Sequence, residues 1–280
     1  MTRLPVTDGV RYALRDNGAG TPIVLLHGFT GNGGAWATWV PDLWPDGRTV
    51  AVDLLGHGDS DSPPPERQSV ERQAADLAAI MHQLGASPAH VLGYSFGARV
   101  ALHMALDSPA SVRTLILESP SAGIAEPAAR AARRAEDGRW VRQLERGDLD
   151  AFVRDWAAQP IFASQARLPA QVRDRLVAER AANRPEGLAA SLLGAGQGVM
   201  PPLHSRLGEI GVPTLVISGR LDPRGSARAG EVAEGIRGAR HESVEDAGHT
   251  PHLETPMAFR YLVTSFLAAS VAAPIPTHSP

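Results

Sequence analysis

The stretch that most limits what this chain can fold into is Gly93-Tyr94-Ser95-Phe96-Gly97. A short apolar run, Ala89 to Leu92, leads into it, and an alanine- and leucine-rich helical pattern follows as far as Leu106. The order is strand, sharp turn, helix. A serine at the apex of such a turn sits in strained backbone geometry, tolerable only where the residues two before and two after are small. Gly93 and Gly97 meet that requirement and hold the Ser95 hydroxyl clear of both elements. The helix starts just behind Ser95, so its unpaired N–H groups and positive dipole end face any negative charge forming there.

A turn of this kind belongs in an alternating α/β series, and the flanking sequence supplies one. Val10 to Arg15 reads as an edge strand, and Ile23 to Leu26 as a strand covered on both faces. The latter ends in the glycine-rich loop His27-Gly28-Phe29-Thr30-Gly31, ahead of a helix expected over 35–43 with Trp36 and Trp39. Thr49 to Asp53 is a further buried strand, Val70 to Leu84 an amphipathic helix, and Val112 to Leu117 another buried strand. After Glu118 the alternation stops. It resumes with strands at Val212 to Ser218 and His241 to Val244 and a helix from Met257 to Ala268. The expected architecture is α/β, with a mostly parallel sheet and helices on both faces. Residues 1–121 form the first part of the core and 208–270 the second. The arginine-rich helical insertion 122–207 is read as a cap over the strand ends, and the proline-rich 271–280 as a flexible tail.

Composition narrows the chemistry. Of 280 residues 43% are apolar and the formal net charge is −3, which points to neither nucleic acid nor a membrane surface as partner. With no cysteine, disulfides, thiolate catalysis and cysteine-ligated metals are excluded. All 27 basic residues are arginine, which excludes Schiff-base chemistry and a lysine-dependent phosphate loop, and reads as the bias of a GC-rich genome. No charged-then-apolar leader and no apolar run of about 18–20 residues is visible, so a soluble cytoplasmic protein is expected. No histidine–carboxylate spacing of metal-ligand type is found, and neither a metal nor an organic cofactor is expected.

A catalytic Ser95 needs a histidine, and the histidine a carboxylate to fix its tautomer. His249, in Ala247-Gly248-His249 just after the last strand, is placed to swing its ring over the sheet's carboxyl edge. Asp222 directly follows the strand ending near Ser218, with Glu118 at the end of the preceding strand as the rival; Asp246 reads as a turn residue. Serine, aspartate, histidine is the chain order this arrangement requires. Phe96, the residue after the nucleophile, and Phe29 supply the two backbone N–H groups of an oxyanion hole. Arg99 lies one helical turn beyond Ser95, where a guanidinium can face the site and suits a carboxylate better than a neutral ester.

With His27-Gly28-Phe29, Asp53 to Ser60, the Ser95 turn and Gly248 to His252 in place, the chain resembles the α/β-hydrolase superfamily over nearly its whole length. The cap stretches Asp155 to Ser164, Leu176 to Asn183 and Pro185 to Leu192, with Arg99, are similar to one menaquinone-pathway branch, the 2-succinyl-6-hydroxy-2,4-cyclohexadiene-1-carboxylate synthases. The resemblance implies a lyase that eliminates pyruvate from 2-succinyl-5-enolpyruvyl-6-hydroxy-3-cyclohexene-1-carboxylate, the triad abstracting a proton and no acyl-enzyme forming. It further implies that Arg99, Arg133 and Arg180 bind a small polycarboxylate, with Arg130 and Arg134 as alternatives to Arg133, and that Tyr94 and Trp156 line the pocket. A monomer or weak homodimer is expected. Ala98, Leu193 to Gly198 and His204 depart from the family pattern. A serine hydrolase of esters or C–C bonds, and a non-catalytic ligand-binding homologue, are the competing readings; the first predicts a mostly apolar pocket.

Overall fold

In the computed structural model, residues 1–37, 44 and 47–272 are described. Eight strands form one sheet: β1 (Thr2–Pro5), β2 (Arg11–Asn17), β3 (Pro22–Leu26), β4 (Arg48–Val52), β5 (Ala89–Tyr94), β6 (Val112–Glu118), β7 (Thr214–Gly219) and β8 (Arg240–Val244). Their order is β1-β2-β4-β3-β5-β6-β7-β8, with β1 and β2 antiparallel and all pairs from β4 to β8 parallel. The alternation of side chains along each strand explains the two covered faces. Val24, Leu26, Val91 and Leu117 pack with helices α1 (Val70–Gln83) and α2 (Phe96–Asp107). Ile23, Leu25, Leu92 and Ile116 pack on the other face with Trp36 and with Phe259 and Val263 of the last helix.

Among the described residues the remaining α-helices are α3 (Pro127–Glu145), α4 (Leu149–Ala157), α5 (Ala170–Ala181), α6 (Pro185–Ala195), α7 (Pro223–Gly235), α8 (Pro251–Glu254) and α9 (Pro256–Ala272). The segment between β6 and β7 contains no strand; it holds α3 to α6 with their own small core, where Val141, Phe152, Trp156, Leu188 and Leu192 meet and Phe29 packs from below. This layer docks by backbone contact. A Cβ on Gly187 would stand 2.5 Å from Gly56 O, and one on Gly194 2.0 Å from Pro65 O. Asn183, buried at the end of α5, accepts from Gly58 N at 3.0 Å and donates to Thr30 O at 2.8 Å, tying both core loops to the helical layer. Arg184 adds bonds to Gly58 O at 3.1 Å and Ser62 Oγ at 2.8 Å.

One expectation changes. The strand near Val10–Arg15 is β2, second in the sheet, and the edge is β1, whose mostly exposed Thr2–Pro5 carries no apolar alternation that sequence could show. Of the helix expected over 35–43, Ala35 and Trp36 belong to a 3₁₀ turn at Gly33–Trp36, while positions 38–43 lie outside the described residues, as does the tail from 273.

Candidate active site

The parallel strands all end on one side, and the loops after β5, β7 and β8 bring together the residues that sequence singled out. At the end of β5, Ser95 has φ +50° and ψ −99°. The turn closes so tightly that a Cβ on Gly93 would stand 2.4 Å from Gly97 O, and one on Gly97 2.3 Å from Leu26 O. Ser95 occupies the N-cap of α2 yet makes no side-chain cap bond, which leaves Oγ for His249, whose Nε2 lies 3.0 Å away. Asp222 is the N-cap of α7: Oδ1 accepts from Gly225 N at 2.9 Å, and Oδ2 lies 2.8 Å from His249 Nδ1. Burial works against the Asp222 carboxylate, but the bonds from His249 and Gly225, with Arg228 nearby, hold its pKa below the ordinary value. It therefore stays ionised and fixes the Nδ1–H tautomer, which leaves Nε2 free to accept a proton.

The loop carrying His249 is pinned from below. Gly219 lets it approach, since a Cβ there would stand 2.2 Å from Gly248 O. Leu221 N donates to Ala247 O at 2.9 Å, and Ser119 Oγ to His249 O at 2.9 Å. Glu118, the rival carboxylate, is fully buried and engaged elsewhere, 2.8 Å from His252 Nδ1 and accepting from His252 N at 2.9 Å.

The direction of the Phe29 N–H follows from His27. Its Nε2 accepts from Leu54 N at 2.9 Å, so the proton sits on Nδ1 and is donated to Gly28 O at 2.8 Å. Gly28 O also accepts from Gly31 N at 3.0 Å. In a trans peptide the N–H points opposite to the C=O, so both bonds turn the Phe29 N–H away from His27. The His27 carbonyl accepts from Gly97 N at 3.0 Å and so couples this loop to the serine turn. Among the described residues neither the Phe29 nor the Phe96 amide donates to a protein acceptor. Burial pushes the His27 pKa down, which keeps the ring neutral.

A cavity of about 630 Å³ opens over Ser95 and His249. Phe29, Tyr94 and Trp156 line it, and the buried Trp156 indole N–H has no acceptor among the described residues. Arg99 lines it as well, only 9% exposed, held by Ala195 O at 2.5 Å and lying 5.0 Å from the Phe96 ring centre. No carboxylate lies within ion-pair distance among the described residues, and burial, with Arg133 nearby, lowers its pKa to about 9. Arg133 lines the same cavity, 2.8 Å from Asp137. Its two alternatives hold the loop before Pro201: Arg130 donates to Met200 O at 3.1 Å, and Arg134 to Gly198 O at 3.0 Å.

Arg180 does not face this cavity. It lines a neighbouring one of about 50 Å³, where Gln165 Oε1 lies at 3.4 Å and the Phe162 ring centre at 5.2 Å. Tyr94 and Phe162 line both spaces. Sequence reasoning passed over Arg224 and Arg228 on α7, which line the large cavity; their positions two and six after Asp222 were the available signal. It also quoted Asn183 without giving it a task.

Residues 21–256 match the family model described as alpha/beta hydrolase fold. A Bacillus subtilis (strain 168) protein provisionally named 2-succinyl-6-hydroxy-2,4-cyclohexadiene-1-carboxylate synthase is 40% identical, covering 95% of this chain and 98% of its own. Among solved structures, MenH from S. aureus superposes with a TM-score of 0.88 at 30% identity over 92% of this chain and 98% of its own. A thermophilic esterase from Thermogutta terrifontis, solved with malate bound, gives 0.85 at 26% identity over 96% of this chain and 99% of its own.

Proposed function

The chain belongs to the α/β-hydrolase fold family and, within it, to the 2-succinyl-6-hydroxy-2,4-cyclohexadiene-1-carboxylate synthases, and on that premise we propose that it eliminates pyruvate from 2-succinyl-5-enolpyruvyl-6-hydroxy-3-cyclohexene-1-carboxylate with Ser95, His249 and Asp222 as its proton-abstracting group. The observation that carries this reading over ester hydrolysis is Arg99, a buried cation facing the cavity without a carboxylate partner. Such a charge is costly unless a ligand supplies the counter-ion, and a carboxylate matches its fork.

Ser95 gives its proton to His249 Nε2 and takes one from a ring carbon of the substrate. The electron pair of that C–H bond becomes a ring double bond as the C–O bond to enolpyruvate breaks. The imidazolium, stabilised by Asp222, returns a proton to the departing enolate, which ends as pyruvate. The Phe29 and Phe96 N–H groups hold the anionic oxygen that develops. Arg99 and Arg133 orient the substrate carboxylates, and Trp156 offers one more donor. The same reading takes residues 122–207 as a cap, a small polycarboxylate as the partner, and the cytoplasm as the setting, the chain working as a monomer or weak homodimer. Among the described residues no helix is long and apolar enough to cross a membrane.

Replacing Arg99 tests the assignment. Arg99→Ala removes a charge-assisted pair of about 1.5–3 kcal/mol, so KM for the enolpyruvyl substrate should rise about 10- to 100-fold. Hydrolysis of a neutral p-nitrophenyl ester should change little. Equal losses on both substrates would make Arg99 structural and favour the esterase reading.

A further inference from the structure

We infer that Arg224 and Arg228 form a second carboxylate-binding subsite in the Ser95 cavity, taking the substrate carboxylate that Arg99 and Arg133 do not hold. The inference rests on the polycarboxylate reading of this site. The two arginines are four residues apart on α7 and so share one face of the helix a turn apart. Both line the cavity that contains Ser95 and His249. Neither makes a hydrogen bond or an ion pair among the described residues. Some other arginines of the core are paired: Arg206 with Asp107 and Glu209, Arg220 with Glu245, and Arg240 with Glu242.

The placement is unfavourable without a ligand. Like charges four apart on a helix repel. Arg224 is also the second residue of α7, where the helix dipole disfavours a cation. A carboxylate bracketed by both guanidiniums relieves both strains and gains charge-assisted bonds. The remaining arginine of the expected set, Arg180, faces the smaller cavity with Gln165 and the Phe162 ring. A tricarboxylate lying over Ser95 therefore meets four guanidiniums from three elements. Arg99 comes from the helix behind the nucleophile, Arg133 from α3, and Arg224 and Arg228 from the helix that Asp222 caps.

The test uses the full chain and two independent readouts. Tricarballylate, a plain tricarboxylate, is used to protect Ser95 from a fluorophosphonate probe, and the labelling rates with and without it are compared by intact mass. Their ratio cancels any change in Ser95 reactivity that Arg228, close to Asp222, introduces. In Arg224→Ala/Arg228→Gln, half-protection should require about tenfold more tricarballylate, and KM for pyruvate release should rise by a similar factor. Arg224→Lys with Arg228 intact should recover most of the loss. Unchanged protection would show two solvated surface arginines and overturn the subsite, as would an equal loss with an uncharged competitor. If the parent enzyme released no pyruvate, the lyase reading would fail, while the protection ratio would still decide the subsite.

Discussion

At the scale of single residues, the chemistry depends on how each reactive group is held. Asp222 uses both oxygens, one for the Gly225 amide and one for His249, so the imidazole cannot turn without breaking a bond. His27 plays the matching part for the proposed oxyanion hole, with one nitrogen accepting from Leu54 N and the other donating to Gly28 O. These two bonds can be separated. Asparagine can imitate the Nδ1 donor and glutamine the Nε2 acceptor. We expect His27→Gln to keep much of the stability but lower kcat about 10²- to 10³-fold with little change in KM, the loss typical of a misdirected oxyanion donor. His27→Asn should recover a large part of kcat although it melts earlier. Activity that simply followed folded fraction in both variants would show that His27 has only a structural task. That Ser95, Asp222 and His249 would meet was legible in sequence, and Phe29 as a candidate donor, because the proposed chemistry needs fixed short motifs at strand ends. Arg224 and Arg228 were not, because their importance depends on which wall of a cavity α7 builds.

At the scale of elements, the helical layer meets the core through close glycine contacts as well as through the side chains of Phe29, Asn183 and Arg184. Gly187 lies against Gly56 and Gly194 against the Pro65 carbonyl, and Arg99 donates to the next carbonyl, that of Ala195. If Arg99 binds substrate as proposed, docking and recognition share one backbone segment. Gly194→Ala places a methyl group where no space exists, so we expect a loss of about 1–3 kcal/mol in urea unfolding together with a raised KM. Gly211→Ala, where a Cβ would meet nothing within 4 Å, is the control and should alter neither. If Gly194→Ala lowered stability with KM intact, the coupling would be refuted. The glycine-rich run from Leu193 to Gly198 stood out in sequence as a departure from the family pattern. Its reason was not legible there, because the neighbour that requires Gly194 lies more than a hundred residues earlier. β1 escaped for another reason: an edge strand paired through its backbone needs no apolar pattern.

Across the whole molecule, alternating apolar strands dictated the parallel sheet, and the break in alternation after Glu118 marked where the helical layer enters. The cavity between them could be anticipated only as a place; its charge depends on side chains from α2, α3 and α7 converging there. On the proposed reading, that convergence of cations over Ser95, His249 and Asp222 favours a polycarboxylate lyase over an esterase on the same fold. The deciding measurement is pyruvate release by purified, chelator-treated protein given the enolpyruvyl substrate. It is followed through a lactate dehydrogenase couple, with intact mass spectrometry on the same sample. The account predicts one pyruvate per ring product, no acyl adduct on Ser95, and a kcat about 10³-fold lower or worse in Ser95→Ala. Ester hydrolysis far faster than pyruvate release, with an acyl-Ser95 species accumulating, would contradict it.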